Sequence, residues 1–428
     1  MPLSYNIAIN QEESYVTTFD TLSLEEACQK AMDAARVKTE SEIVSLTDAL
    51  GRITAERIVA KKNLPSFDNS AMDGFAIKAS DAGKRLNVAR IILAGEVPEA
   101  SLEEGECYRI MTGAQLPEDV DTVIPIEACE AVTDEAVSIP QEITPGSNFR
   151  KKGEELAVGE TIFEKGHILR AADIALLSAQ GIMALKVIIR PRIAVVSTGD
   201  EIKEPWEEAS EDEIYNANAF GITSLLKGFG FTPSYVGAIP DDAQASNAFI
   251  ATLKAYDVVI TTGGISMGDA DFLYDAFLSN GLDPLFHGIN LKPGRPVMMG
   301  TMGETFVMAM PGNPLTTMLT VHLLCIPVLY KIAGAHTCWH TFTYAEFSHD
   351  LTLKSGRTNI VIGRLENGVF IPTRNNKIGS GMLTPLSESN AVAYFAEEIA
   401  TIEREDLIKV VLFSDTTRSA ENRIVNHR

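Results

Sequence analysis

The sequence predicts a multidomain α/β plus β protein, with one mainly parallel sheet and separate β regions on either side of it in the chain. Three observations lead there. Between Arg192 and Leu329, apolar strand-like runs alternate with helical periods, the pattern of a parallel sheet covered by helices. From Met72 to about Ile143, short β-type runs alternate with Gly, Pro and acidic turns and no long helical period intervenes. After His336, the pattern returns to strands, with an Asn367-Gly368 hairpin signal.

In chain order, Ser23-Leu24-Glu25-Glu26 reads as a capping box opening a helix to about Val37, with Leu24, Ala27, Cys28 and Ala31 as its apolar stripe. A short helix is expected around Thr47 to Arg52, then an extended run, ITAERIVA, and a Pro65-marked loop. GFAI, VARIILA, CYRIM, DTVIPIEA and AVSI are the strands of the small β region. A helix returns at Arg170 to Ala179, with Gly181 placed to end it. The pieces on either side of the β region therefore belong to one discontinuous, α-rich linking domain, 1–65 and 145–187, with 66–144 inserted. The α/β domain spans 188–334, with helices at Asn218–Lys227, Ala243–Lys254, Phe272–Phe277 and Leu315–Cys325; Pro327 limits the regularity of the last. A C-terminal β domain covers 335–414, and the polar tail 415–428 is expected to be disordered.

The chain has 428 residues, 45% of them hydrophobic, and a formal net charge of −22. That balance suits a soluble protein and argues against extended contact with a nucleic-acid backbone, so any anion must be met by local positive charge. No run of 18 or more apolar residues reads as a membrane span, and the first residues lack the features of a secretory signal. Five cysteines without a CxxC fit reduced, scattered thiols in a cytoplasmic protein.

Ligands of an open parallel sheet bind beyond the carboxyl ends of its strands, and three loops are expected at that edge. They are Ser197-Thr198-Gly199-Asp200-Glu201, then Thr261 to Asp271 with Gly263, Gly264, Ser266, Gly268, Asp269 and Asp271, and finally Pro311-Gly312-Asn313-Pro314. Glycines and a helix start expose backbone amides suited to phosphate, and the carboxylates suit a hard divalent cation. Lys292 and Arg295, in LKPGRP, supply positive charge. Taken singly, each loop reads equally well as a turn or helix cap, and Lys292 as a surface cation. Neither the Walker pattern nor GxGxxG is present, which speaks against a P-loop or dinucleotide enzyme.

Taken together, the motifs PSFDNSAMDGFAI (65–77), RIMTGAQLPEDVDTVIP (109–125), VVSTGDEI (195–202), TTGGISMGDAD (261–271), LKPGRPV (291–297) and MPGNP (310–314) resemble the molybdopterin molybdenumtransferases. This is the family whose eukaryotic relative forms the E domain of gephyrin, and the resemblance runs from about residue 20 to 414. It implies a three-layer α/β/α molybdopterin-binding domain and a barrel-like C-terminal domain. It also implies insertion of molybdate into adenylylated molybdopterin, with cleavage of the pyrophosphate linkage, release of AMP and a requirement for Mg²⁺. The family forms homodimers whose cleft is shared between subunits, with Asp73 and Thr112 of the inserted domain facing the α/β loops.

Carried over position by position, Asp73, Thr112, Glu201, Asp242, Asp269, Asp271, Lys292 and Arg295 are the catalytic candidates. Glu201, Asp242 and Asp269 are the metal candidates. Thr198, Gly199, Gly263, Gly264, Ser266, Gly268, Pro311, Gly312, Asn313, Pro314, Arg357 and Ser380 are the substrate-binding candidates. The resemblance further implies transient contact with the molybdopterin adenylyltransferase and with apo-molybdoenzymes or their chaperones. Soft dithiolene sulfurs of the substrate would take the metal, so no cysteine ligand is needed. The sequence departs from the family pattern in four places: Gly288 and Arg295 stand where lysines are usual, Glu155 where Asp is usual, and Ile378 where Gln is usual. Two alternatives are a paralogue on the same fold with altered anion or nucleotide specificity, and a non-catalytic scaffold.

Overall fold

The computed structural model describes residues 21–99, 101–199, 201–264 and 272–413. Contacts divide them into two compact units: 43–50 with 54–187, and 51–53 with 188 onward together with the N-terminal segment up to Glu42.

In the smaller unit, five strands carry the fold: β1 (Gly74–Ile77), β2 (Arg85–Ile92), β3 (Glu106–Ile110), β4 (Thr122–Pro125) and β5 (Ala136–Ser138). Their order is β4-β1-β3-β2-β5, antiparallel except for the β2–β3 pair. One face packs Ala76, Tyr108 and Val123, the other Phe75, Leu86 and Val137, as period-2 alternation requires. Helix α2 (Ala171–Ala179) buries Leu177 against Ala49, Ile58, Leu169 and Val187. Leu46–Asp48 forms one 3₁₀ turn, in place of the expected helix from Thr47 to Arg52. Gly51 at φ +70° stops the run before a second turn can form.

In the larger unit, α1 (Leu24–Ala34) is opened by the capping box: the Ser23 hydroxyl accepts from Glu26 N, and Ser23 N donates to the Glu26 carboxylate. Leu24, Ala27, Cys28 and Ala31 are its buried residues. The helix stops three residues earlier than the sequence suggested, because Ala35 turns extended (ψ 115°).

The central sheet has the strands β6 (Ile193–Thr198), β7 (Pro233–Ile239), β8 (Val258–Thr262), β9 (Leu282–His287), β10 (Met298–Met302) and β11 (Thr305–Met310) in the order β7-β6-β8-β11-β10-β9. The first four are parallel, and the last two join antiparallel. Strands β8 and β11 are buried along their full length, which fits their unbroken apolar runs. Helices α3 (Ala217–Gly228), α4 (Ala243–Leu253) and α5 (Phe272–Ser279) connect them. The C-terminal strands β12 (Thr343–Phe347), β13 (Thr358–Glu366), β14 (Val369–Pro372), β15 (Ala391–Phe395) and β16 (Leu407–Leu412) close in the cycle β13-β14-β12-β16-β15-β13, a barrel. Asn367 and Gly368, at φ +50° and +82°, make the expected two-residue hairpin turn.

Helix α6 begins at Pro314 and continues to Ile332 through a π turn at Val321–Cys325. The widened turn lies where the Pro327 ring would otherwise press on the carbonyl of Leu323. This 19-residue helix is long and apolar enough to span a bilayer, but 83% of its apolar window is buried in the fold; it is the core helix. His322 in the π turn is 1% exposed and packs on His340, Phe413 and Phe229 at ring distances of 4.4, 5.4 and 5.5 Å. Burial, and next the neighbouring His340, lower its pKa to about 3. Because the unfolded chain binds this proton near pH 6.5, folding stability falls as pH drops from 6.5 toward about 3. The contribution approaches roughly 1.4 kcal/mol per pH unit. We expect His322→Phe to flatten this part of the urea-unfolding profile; an unchanged slope would assign the acid sensitivity elsewhere.

Candidate functional site at the carboxyl edge of the parallel sheet

Strands β6, β8 and β11 are neighbours and parallel, so their carboxyl ends open side by side. The Thr198 hydroxyl, ending β6, donates to Thr262 O at 2.9 Å. Gly263 and Gly264 follow at φ +85° and +65°. A Cβ on Gly263 would stand 2.6 Å from Thr198 Oγ1, and one on Gly264 2.5 Å from Leu273 Cδ2. Only glycine meets both the backbone and the space requirement there. Gly312 approaches the same spot, with the Gly263 Cα 3.6 Å from its own Cβ direction.

The turn into α6 is fixed from several sides. Thr317 Oγ1 donates to Pro311 O and to Asn313 O, and Asn218 Nδ2 on α3 donates to Gly312 O at 2.7 Å. Asn313 occupies the N-cap of α6 without capping it; its amide reaches Ser380 Oγ instead, at 3.1 Å. Pro314 takes the first helical turn, where its missing N–H costs nothing. Thr198, Gly263, Gly264, Pro311, Gly312, Asn313 and Ser380 are thus one connected surface. The buried hydroxyls of Thr261, Thr262 and Thr316 have no partner among the described residues.

Behind β6 lies a polar network with no counterpart in the sequence reading. Asn216 Nδ2 donates to Ser197 Oγ (3.2 Å), Tyr235 OH (3.1 Å) and Glu204 Oε1 (3.2 Å). Ser197 Oγ and Tyr235 OH lie 2.8 Å apart, and Tyr235 OH donates to Glu204. Burial, reinforced by the Glu204 carboxylate, pushes the Tyr235 hydroxyl up to about 12. The network holds the residue just before Thr198. Asn216 also caps α3 through Ala219 N.

The carboxylates are arranged more loosely. Glu201 folds back over Gly199, whose Cβ would meet Glu201 Oε2 at 2.6 Å. Asp242 follows β7 at the same sheet edge and caps α4, with Oδ1 2.8 Å from Ala245 N. Among the described residues, no three acidic, His or Cys side chains form a metal-sized group. Ser266, Gly268, Asp269 and Asp271 lie outside the described residues.

The cations come from the segment before β10. Leu291–Lys292 pairs in parallel with Thr358–Asn359 at the start of β13, which brings Lys292 beside the barrel strand that begins just after Arg357. Gly294 packs on Thr320 of α6 and on Leu291. Lys292, Arg295 and Arg357 are exposed. Gly288 adopts φ +103°, a conformation that strains any residue with a Cβ.

In the smaller unit, Asp73 and Thr112, 39 residues apart, are held together: Thr112 N and Oγ1 donate to Asp73 Oδ1 at 2.6 and 2.7 Å. These two bonds, the backbone one first, hold the Asp73 carboxyl below its usual range. The stabilisation is present above the ordinary carboxylate pKa and is lost as pH falls through the lowered one. Thr112→Val should raise the Asp73 pKa measured by carboxyl NMR titration; no movement would show that the Thr112 amide alone sets it. All five cysteines are unpaired, and four are buried. Burial raises the pKa of Cys28 and Cys107 to about 12, so neither offers a ready thiolate ligand.

Three sequence models match the chain: the MoeA N-terminal region (domain I and II) over residues 22–181, a probable molybdopterin binding domain over 194–331, and the MoeA C-terminal region (domain IV) over 344–413. The chain is 30% identical over 406 residues to the molybdopterin molybdenumtransferase of Haemophilus influenzae, covering 92% of this chain and 99% of that one. It is 32% identical over 375 residues to molybdopterin molybdenumtransferase 2 of Mycobacterium tuberculosis, covering 84% and 92%. The crystal structure of the molybdopterin biosynthesis moeA protein from Pyrococcus horikoshii superposes with a TM-score of 0.79 at 29% identity, covering 92% of this chain and 100% of that one. With domain matches in this order along the chain and relatives matched over nearly their full length, the chain belongs to the molybdopterin molybdenumtransferase family.

Proposed function

We propose that the protein inserts molybdate into adenylylated molybdopterin, cleaving the pyrophosphate linkage and releasing AMP, in the cytoplasm. The observation that best supports this reading is the connected surface of Thr198, Gly263, Gly312, Asn313 and Ser380. It offers close-approach glycine backbone, hydroxyls and an amide side chain at one sheet edge, with the Gly263 N–H itself tied to Met310 O at 3.0 Å, the chemistry of a phosphate-bearing ligand. Lys292 and Arg295, with Arg357 at the barrel, supply the charge that meets the leaving phosphate and the incoming oxyanion.

Magnesium fits in chemistry: the Glu201 carboxylate accepts no hydrogen bond among the described residues, and Asp242 follows the adjacent strand. Glu201, Asp242 and Asp269 would hold it, and bound there it neutralises pyrophosphate charge and polarises a phosphoryl oxygen. The chain's own contribution is positional. Thr198 and the paired glycines fix how closely the ligand approaches, the Asn313–Ser380 contact joins the barrel to the loop, and the cations stabilise charge as the linkage breaks. The dithiolene of the substrate receives molybdenum, in keeping with buried, protonated thiols.

Incubation of the pure protein with adenylylated molybdopterin, Mg²⁺ and molybdate tests the reading: AMP release must depend on molybdate. Hydrolysis of other pyrophosphates that ignores molybdate would instead favour a paralogue with altered anion specificity, a reading motivated by Gly288 at φ +103°. On the main reading the protein is a homodimer, and Asp73 of one subunit serves the α/β loops of another. Mixed Asp73→Ala and Asp269→Ala subunits should then recover activity that each variant lacks; no recovery despite proven subunit exchange would rule out a shared site. Transient handover from the adenylyltransferase and to apo-molybdoenzymes completes the proposal.

A further inference from the structure

We propose that the larger unit carries a second anion site, for a small tetrahedral oxyanion, in the cleft lined by Arg52 and Arg190. The cleft, about 310 Å³ counted out to where it opens to solvent, is otherwise walled by backbone and by apolar groups such as Ile53, Ile188, Phe229 and Phe231. Arg52 is 6% exposed. One of its terminal nitrogens donates to Glu42 Oε1 at 2.5 Å and to Ile188 O at 3.0 Å, while its Nε is screened from solvent and has no acceptor among the described residues. Arg190 has the same buried, unpartnered Nε, and no ion pair is formed by its side chain among the described residues.

Two guanidinium groups against one carboxylate leave a surplus positive charge in a half-closed, apolar cleft of a protein whose net charge is −22. A partly buried arginine ordinarily pairs with a carboxylate; Arg190 shares the field of one carboxylate, Glu42, with Arg52, which holds that carboxylate directly. Burial, and next the Arg52 charge, lower the Arg190 pKa against the opposing pull of Glu42, so the one carboxylate does not offset both guanidinium groups. The planar fork of arginine matches tetrahedral oxyanions. No lining residue belongs to the loops after β6, β8 and β11, so the site stands apart from the proposed catalytic surface and does not depend on that reading.

Titration calorimetry of the full-length protein with inorganic phosphate, in a chloride buffer, tests it. The wild type should bind phosphate, and Arg190→Gln should weaken binding about tenfold or more without lowering the melting temperature, since the variant relieves the electrostatic repulsion from Arg52. Arg190→Lys should restore charge but only part of the affinity. Lys292→Ala should leave phosphate binding at this cleft intact. Competition by sulfate and by molybdate then identifies the preferred oxyanion. No phosphate binding by the wild type, or binding that survives Arg190→Gln and disappears in Lys292→Ala, overturns the proposal. Neither result bears on molybdate-dependent AMP release.

Discussion

Lys292→Ala is expected to lower molybdate-dependent AMP release on the order of 10- to 100-fold, the worth of one charged hydrogen bond of about 1.5–3 kcal/mol. The side chain is exposed and sits on a two-residue strand that pairs with the barrel at Thr358–Asn359. Removing it leaves no cavity, and the melting temperature should move by no more than the equivalent of about 0.5 kcal/mol. If the cation acts on charge that develops as the linkage breaks, kcat falls; if it only captures the oxyanion, KM for molybdate rises. Arg295→Ala should show a loss of similar size, because the two residues flank the Pro293-Gly294 turn that packs on Thr320. Between Gly288 and Val297 these two are the cations of the segment. A loss of melting temperature as large as the loss of activity would show that the residue holds the fold instead.

Gly74→Ala should give the largest stability loss. A Cβ at this position would lie 2.0 Å from Ile124 O and 3.0 Å from Pro125 Cα, backbone atoms of the strand paired with it. Neither strand can yield, because Phe75 and Val123 on either side are fully buried. The cost is about 3 kcal/mol, read as a fall of roughly 6–12 °C in the melting transition of this unit. Gly113→Ala provides the contrast: its φ is +77° but nothing stands within 4 Å of the new methyl, so only about 1 kcal/mol of backbone strain applies. Equal effects of the two substitutions would show that conformation, not close approach, governs the Asp73-Gly74 corner.

Local rules made much of the fold legible. The Ser23–Glu26 capping box, the Asn367-Gly368 turn and the strand–helix alternation from Arg192 each rest on residues a few positions apart, where propensity and periodicity operate. Strand β9 escaped detection because Pro284 interrupts its pattern. The short helix at Thr47 did not survive Gly51. The edge on which the three loops meet followed from parallel topology. The pairings that build the site did not follow: Asp73 with Thr112, Asn218 with Gly312 and Asn313 with Ser380 span 39, 94 and 67 residues. No local pattern encodes such distances. The resemblance put Asp73, Thr112 and Ser380 among the candidates, but Asn218 and the Asn216–Tyr235–Glu204 network had no motif to announce them. Their role is to hold Gly312 and Ser197, one step away from the residues that would meet a ligand.

The central claim is that the surface joining Thr198, Gly263, Gly312, Asn313 and Ser380 receives a phosphate-bearing ligand and an oxyanion. A crystal of the protein grown with molybdate and an adenosine nucleotide, with molybdenum located by its anomalous scattering, tests this most directly. The account predicts a molybdenum peak beside Lys292, Arg357 or Ser380, with the nucleotide phosphates over the Gly263–Gly264 and Gly312 backbone. Ordered molybdate and nucleotide bound elsewhere, with that edge of the sheet empty, would contradict it.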